Sequence, residues 1–444
     1  MPIRVAIIGS GPAGFYTASA LLKTCPNCEI DIIERLPTPY GLIRGGVAPD
    51  HQTTKKIANK YEQTALMERV RFYGNVEVGR DVSLTEMREM YDAVVLAVGA
   101  RSDRRLSIPG ADKLGVYGSA AFVGWYNGHP DFQNLNPYLD TPSVAVIGNG
   151  NVAIDCARVL MRSAYGRART DLPDPVTEAI DRSPINEVHV LGRRGPADAA
   201  FTNVELRELG LLTQAAPRVR AEQMPSDIDA ALAGYEKREH RVRQRNLTTL
   251  ADYAERPPGD KPKALHLEFY ASPVEILGDG RAEAIRCERT RVIDGRAEGT
   301  GTFFEIPCGL VISAIGYRAE PLDGAPFDDA RGIIPNTSGR IEAGLYAVGW
   351  IKRGPVGVIS TNRPDGEQAA RHIQDDNPPE GDPSKTGHQC LEALLHERGR
   401  RWVCFDEWKR IDEMEKTAAE DGAPRRKFIS VDEMLSALDN DNSE

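Results

Sequence analysis

Ile3-Arg4-Val5-Ala6-Ile7-Ile8-Gly9-Ser10-Gly11-Pro12-Ala13-Gly14 specifies, in this order, a strand, a tight turn and the start of a helix. The first six residues are mostly apolar and β-branched, which predicts a strand buried on both faces of a parallel sheet. Gly9 permits the turn, Gly11 lets backbone approach a diphosphate, and Gly14 lets the helix predicted from Phe15 to Lys23 lie close on the strand. The unpaired N–H groups at that helix's N-terminus then face the anion. A second predicted strand, Glu29 to Ile33, ends at Glu34. A carboxylate there accepts hydrogen bonds from a ribose 2′-OH and repels a 2′-phosphate, so this cradle favours FAD or NAD over NADP.

The pattern occurs again. Ser143-Val144-Ala145-Val146-Ile147 leads into Gly148-Asn149-Gly150-Asn151-Val152-Ala153 and a helix predicted over Ile154 to Met161. Alanine stands at the third glycine, a replacement the motif tolerates. The next strand, Glu187 to Leu191, runs into Gly192-Arg193-Arg194 where an NAD site carries an acid. Two guanidiniums at that strand end suit a 2′-phosphate. Opposite ribose readers in one chain point to two different dinucleotides, with FAD and NADPH the simplest pair. Glu205 and Arg207 follow closely enough to reach the nicotinamide half.

Working outward, Asp92 to Ala100 and Leu310 to Tyr317 read as strands that close one dinucleotide domain and cross to the other, and Gly344 to Trp350 as a late strand ending in a glycine turn. The expected fold class is therefore α/β, with two Rossmann-like dinucleotide-binding domains and the FAD domain discontinuous in sequence. The expected division is 1–105 for the first part of the FAD domain, 106–324 for the NADPH domain, and 325–444 for the second part with a C-terminal helical segment. Asp171 to Pro184, Glu255 to Pro262 and Asp375 to Ser384 read as loops or linkers. Ser430-Val431-Asp432-Glu433 has the form of a capping box that opens a short structural helix.

Composition narrows the function. The chain has 444 residues, 41% hydrophobic and 27% charged, as expected of a globular protein with a sizeable core. A net charge of −10 argues against a nucleic-acid partner. The longest apolar candidate, Val5 to Leu22, is interrupted by Gly9, Gly11, Pro12 and Gly14, so no membrane insertion is expected. A first strand at Ile3 leaves no room for a leader, and a cytoplasmic location is expected. The seven cysteines lack the spacing of a disulfide framework, an iron–sulfur cluster or a zinc site, so no metal is expected. Cys25-Pro26-Asn27-Cys28 has the spacing of a redox dithiol, but it falls between the first helix and the second strand, away from where a flavin ring should lie.

Longer runs carry a family resemblance. They are Pro37 to Arg44 with Gly46 to His51 (PTPYGLIR, GVAPDH), Phe122 to Asn127 (FVGWYN), Gly148 to Asp155 (GNGNVAID), Gly192 to Pro196 (GRRGP) and Gly349 to Ile359 (GWIKRGPVGVI). With them the chain resembles adrenodoxin reductase and the bacterial NADPH–ferredoxin reductases over nearly its whole length. The resemblance implies a glutathione-reductase-like pair of domains and a ferredoxin–NADP+ reductase activity, in which electrons pass one at a time from NADPH through FAD to a ferredoxin-type iron–sulfur protein. It implies FAD contacts at the cradle residues Gly9, Gly11, Ala13 and Gly14 and at Glu34, Leu42, Val78, Trp350, Gly357, Val358 and Ile359. NADPH contacts are implied at Arg104, Asn149, Gly150, Asn151, Val152, Arg193, Arg194, Glu205 and Gly357. Trp350, where many dinucleotide-domain flavoproteins carry an acid, matches this group. His51 and Glu208 are implied to tune protonation near the flavin.

Hydride transfer needs orientation rather than a nucleophile, with donor and acceptor within roughly 3–3.5 Å. The acceptor is expected to be an acidic ferredoxin, docked on Lys237, Arg238, Arg241, Arg243 and Arg245, which oppose only Glu239 in one helix-like stretch. Two other readings fit the same cradles: a flavin disulfide or quinone reductase, and a non-catalytic protein that binds FAD and NADPH.

Overall fold

The computed structural model describes residues 1–257, 259–377 and 380–441. Two six-stranded sheets organise them. In the first, the order is Arg340–Glu342, Leu345–Ala347, Ala93–Leu96, Ile3–Ile8, Cys28–Ile33 and Val70–Tyr73, all parallel except the edge strand Arg340–Glu342. In the second, it is Val116–Gly118, Leu310–Ser313, Ser143–Ile147, Glu187–Leu191, Lys263–Glu268 and Ala215–Val219, all parallel. Late strands thus complete a sheet that the first hundred residues begin. The chain passes between the sheets at Ser102–Asp103 and returns at Tyr317–Arg318, and these two short strands pair antiparallel. An antiparallel meander, Ala271–Leu277, Ala284–Ile293 and Arg296–Pro307, adds a third layer beside the second sheet.

The central strands are mostly apolar because both faces are covered. Val5 and Ile7 enter one core with the helix Pro12–Thr24, while Ala6 and Ile8 enter the core on the other face. Likewise Val144 and Val146 face the helices of the second sheet, and Ala145 and Ile147 face the meander. Pro12–Thr24 is crossed by Asn362–Asp376, so closely that a Cβ on Gly366 would lie 2.7 Å from the backbone nitrogen of Thr17. Small residues at the crossing bring the last third of the chain onto the first helix.

Two loop expectations are corrected. Asp171 to Pro184 contains the helix Asp174–Arg182, since proline is tolerated in a first turn and Val176 and Ile180, one turn apart, are both buried. The stretch Asp375 to Ser384 begins inside Asn362–Asp376, and its Pro378 and Pro379 lie outside the described residues, as does Pro258 of the stretch Glu255 to Pro262. At the C-terminal end, Ser430 and Glu433 exchange the two hydrogen bonds of a capping box and open the helix Val431–Asp441. Among the described residues no helix is long and apolar enough to cross a membrane.

Candidate active site

Both glycine turns sit at the C-terminal ends of parallel strands, where an open α/β sheet leaves a crevice. In the first, Gly9 has φ +109°, and a Cβ there would run 2.5 Å from the carbonyl oxygen of Ala97. Gly11, the N-cap of Pro12–Thr24, has no other atom within 4 Å of a Cβ position except the Cα of Gly41, at 4.0 Å. The turn is therefore packed where it must bend and open where a diphosphate would lie. Glu34 reaches back into it: its Oε2 accepts hydrogen bonds from the Ser10 hydroxyl (2.7 Å) and backbone N–H (3.1 Å), and its Oε1 one from Leu36 N–H (3.2 Å). The carboxylate is fixed before any ribose arrives.

The rest of the expected FAD set is spread over several elements. Ala13 is buried in the first helix against Gly349, and Leu42 opens the short helix Leu42–Gly45, left 38% exposed beside the turn. Val78 is buried in the core beneath. Trp350 starts the helix Trp350–Arg353 and packs on Tyr317 with ring centroids 5.7 Å apart. Val358 is 59% exposed, and Ile359 begins a 3-10 turn through Thr361. Gly357 has φ +93°, and the side chain it most directly spares is that of Thr361.

The second cradle has the same division of labour. Gly148, at φ +137°, presses on the carbonyl of Ala314, whereas nothing lies within 4 Å of a Cβ at Gly150. Asn149 accepts backbone hydrogen bonds from Ala200 and Phe201 on its carbonyl oxygen, and the Asn151 side chain accepts one from Thr202 N–H at 2.7 Å. Val152 packs against the cores of both halves. Arg193 is exposed, its carbonyl held by the Thr290 hydroxyl at 2.7 Å, and Arg194 is 43% exposed, 3.7 Å from Asp198. Arg104 is exposed at the crossing between sheets, its N–H donating to Gly316. The residues present fit two dinucleotides: each turn offers open backbone where a phosphate would approach, with an acid at the strand end after one turn and two guanidiniums at the strand end after the other.

Residues from both domains meet in a charge cluster that sequence reading only partly identified. His51 comes from the first half, and Glu205 and Glu208 come from the helix Asn203–Leu209 of the second, capped by Thr202. His51 Nε2 is 2.7 Å from Glu208 Oε2 and 3.4 Å from Glu205 Oε2. The centre is Arg158, 1% exposed, which was not anticipated. It donates to Asp50 (2.8 and 3.0 Å) and sits 3.2 Å from each of Glu205 and Glu208, 2.9 Å from Asp155 and 2.7 Å from His51 Nε2. Arg162 adds a second guanidinium 2.7 Å from Asp50. The available signal was an arginine embedded in the mostly apolar helix Asn151–Met161, one turn after Asp155.

The cluster holds labile protons. Burial pulls His51 down and Arg158 adds to this, but the hydrogen bond to Glu208 and the charges of Asp155 and Glu205 together leave the imidazole above its usual value. Glu208 and Asp50 resist the upward pull of burial through His51 and Arg158 respectively, and end below the usual carboxylate range. Asp155 is pushed up to about 7 by burial, with Glu205 and Asp50 adding to the effect and Arg158 opposing it. Its Oδ1 lies near Arg158 but has no hydrogen-bond partner among the described residues. One ring nitrogen of His51 cannot donate to Glu208 and accept from Arg158 at once, so these two partners select different protonation states.

The basic stretch is the helix Lys237–Glu255. Lys237, Arg238, Arg241 and Arg245 gather with Val242 around one shallow recess. Arg243 does not join them: two residues on from Arg241 is about 200° round a helix, and it stacks over Tyr235 and bonds the Ala197 carbonyl. That is a correction to the five-residue patch. Cys25 and Cys28 are buried, and Cys28 pairs with Ile3, at the far end of the strand from the cradle. Five strand steps place them roughly 16 Å away.

The pyridine nucleotide-disulphide oxidoreductase profile matches residues 3–255. Mitochondrial NADPH:adrenodoxin oxidoreductase of Arabidopsis thaliana is 41% identical, covering 99% of this chain and 96% of the relative. NADPH-ferredoxin reductase FprA of Mycobacterium leprae is 41% identical, covering 97% of each. The chain belongs to the pyridine nucleotide-disulphide oxidoreductase family, in its adrenodoxin reductase–FprA branch. Members of this branch share its architecture throughout: Mycobacterium tuberculosis FprA in complex with NADPH superposes with a TM-score of 0.94 at 40% identity, covering 99% of this chain and all of that one.

Proposed function

We propose that this chain is an NADPH-dependent FAD flavoprotein that passes electrons singly from NADPH to a ferredoxin-type iron–sulfur protein. One observation supports the reading: the chain carries two open glycine turns, one with the clamped carboxylate of Glu34 at the next strand end and the other with the guanidiniums of Arg193 and Arg194. Bound FAD supplies the ability to take two electrons together and release them one at a time. Gly9, Gly11, Ala13, Gly14 and Glu34 hold its diphosphate and ribose, with Leu42, Val78, Trp350, Gly357, Val358 and Ile359 along the remainder. Asn149 to Val152 hold the NADPH diphosphate, Arg193 and Arg194 read its 2′-phosphate, and Arg104, Glu205 and Gly357 complete the seat. His51 and Glu208 hold a proton beside the reacting rings, positioned by Arg158.

The division 1–105, 106–324 and 325–444 follows, supported by late strands that complete the first sheet and by the paired crossings at Ser102–Asp103 and Tyr317–Arg318. The partner we infer is acidic, because Lys237, Arg238, Arg241 and Arg245 form a basic face on a chain of net charge −10. A cytoplasmic location suits such a partner. The deciding experiment is anaerobic: NADPH is mixed with the yellow protein, flavin bleaching is followed by stopped flow, and ferredoxin is then added. Rapid bleaching and stoichiometric ferredoxin reduction are expected; a flavin that NADPH leaves oxidised overturns the proposal in favour of a binding protein.

A further inference from the structure

We propose that Glu187, His189 and His266 form a binding site for a borderline divalent transition cation, of which Zn2+ is the representative, on the second sheet and apart from the dinucleotide crevice. The backbone sets up the site. Glu187 and His189 are two residues apart on Glu187–Leu191 and so share a face, and His266 of Lys263–Glu268 lies directly opposite His189 in the parallel register. Val188, Val190, Leu265 and Leu267 point the other way into the helical core. One ligand atom from each of Glu187, His189 and His266 lies within 4.8 Å of the others.

Three independent features single this group out. First, His189 Nδ1 and His266 Nε2 are buried without a hydrogen-bond partner among the described residues, a cost that folded proteins rarely leave unmet. Second, the Glu187 carboxylate already faces the pair, its Oε2 lying 3.6 Å from His189 Nε2. Third, two imidazoles and one carboxylate are a donor set for zinc-like ions, with a fourth position left to water. The other two such groups, Asp50–His51–Glu208 and His51–Asp155–Glu205, already surround the Arg158 guanidinium. Here the nearest basic neighbour, Arg218, faces His266 from the adjoining strand, while Glu268 is occupied by Arg220 at 2.6 Å.

The imidazoles are stacked, 4.5 Å between centroids and 8° from parallel. Stacked rings direct their in-plane lone pairs alongside one another, so capturing a cation requires them to tilt apart. The cation would then tie together two neighbouring strands, at most about 13 Å from Arg193 by the rise of a strand.

The test uses the FAD-loaded full chain, stripped with chelator and titrated with ZnCl2 against a chromogenic competitor, in a Cys390→Ser background because Cys390 is the exposed thiol. One Zn2+ per chain is expected, with affinity falling about a hundredfold or more in His189→Gln/His266→Gln, since even outer-shell losses cost 10–100-fold. NADPH-driven flavin bleaching should be unchanged in that variant, which separates this site from the redox function. Unaltered zinc stoichiometry and affinity overturns the proposal. Should the double variant fail to fold, the half-exposed Glu187→Gln decides: weaker zinc supports the site, and equal zinc removes it.

Discussion

The two cradles are built on one plan and differ in how firmly the ribose reader is held. Glu34 is clamped by three hydrogen bonds from Ser10 and Leu36, whereas Arg193 is exposed and Arg194 is 43% exposed, 3.7 Å from Asp198. A fixed acceptor loses little freedom when its ligand arrives; an exposed arginine must be ordered at a cost of about 0.5–1.5 kcal/mol per side chain. The first seat is suited to a ligand that stays and the second to one that exchanges at each turnover. The cradles' glycines split the same way, into positions that shape the protein and positions that leave room for a ligand.

The largest contrast comes from testing that split. Gly9→Val forces a branched side chain into φ +109° against Ala97, and colourless or insoluble protein is expected; Gly150→Ala meets nothing, so full flavin content with a raised KM for NADPH is expected. Absorbance of the purified proteins distinguishes them, and similar flavin content in both would break the comparison. Next is Arg158→Met, which strips the cation shared by both halves. Buried carboxylates left unpaired cost about 3–5 kcal/mol, so a denaturant midpoint within error of wild type would show that the cluster does not join the halves.

Arg193→Ala/Arg194→Ala should weaken NADPH a hundredfold or more and NADH far less, at roughly 1.5–3 kcal/mol per charge-assisted contact. Equal losses in the two KM values would mean the pair does not read the 2′-phosphate. On the basic helix, Lys237→Glu/Arg241→Glu should raise the apparent KM for ferredoxin by about tenfold, one steering effect at low salt, and leave ferricyanide reduction intact. Equal loss with both acceptors removes docking as the cause.

The smallest effect is a pH dependence. The folded-state pKa of Asp155 is raised from 3.8 to about 7, so the folded protein holds more protons than the unfolded chain across that window. Its contribution to stability is present below 3.8 and lost as pH rises through about 7. His51, also raised, loses its contribution as pH climbs past 6.5. Asp155→Asn should therefore lower the unfolding temperature less than wild type does between about pH 5 and pH 8; parallel curves would place the buried proton elsewhere.

Much of this molecule was determined by local pattern alone. A turn that needs Gly9 and Gly148, a mostly apolar strand and a capping box at Ser430 are constraints between near neighbours, and they were legible as residues in order. The family came from runs that stay contiguous in the chain, such as Gly148 to Asp155 and Gly349 to Ile359. Tertiary structure alone decided what depends on register and burial. Arg158 became the hub of a cluster because its helix turns inward toward Asp50 and Glu205, Arg243 left the basic face because 200° of helix rotation aims it at Tyr235, and His189 met His266 because two strands 77 positions apart pair in step. Sequence spacing carries no information about such meetings, since a side chain's charge state and partners are fixed only when the fold removes water and sets its neighbours.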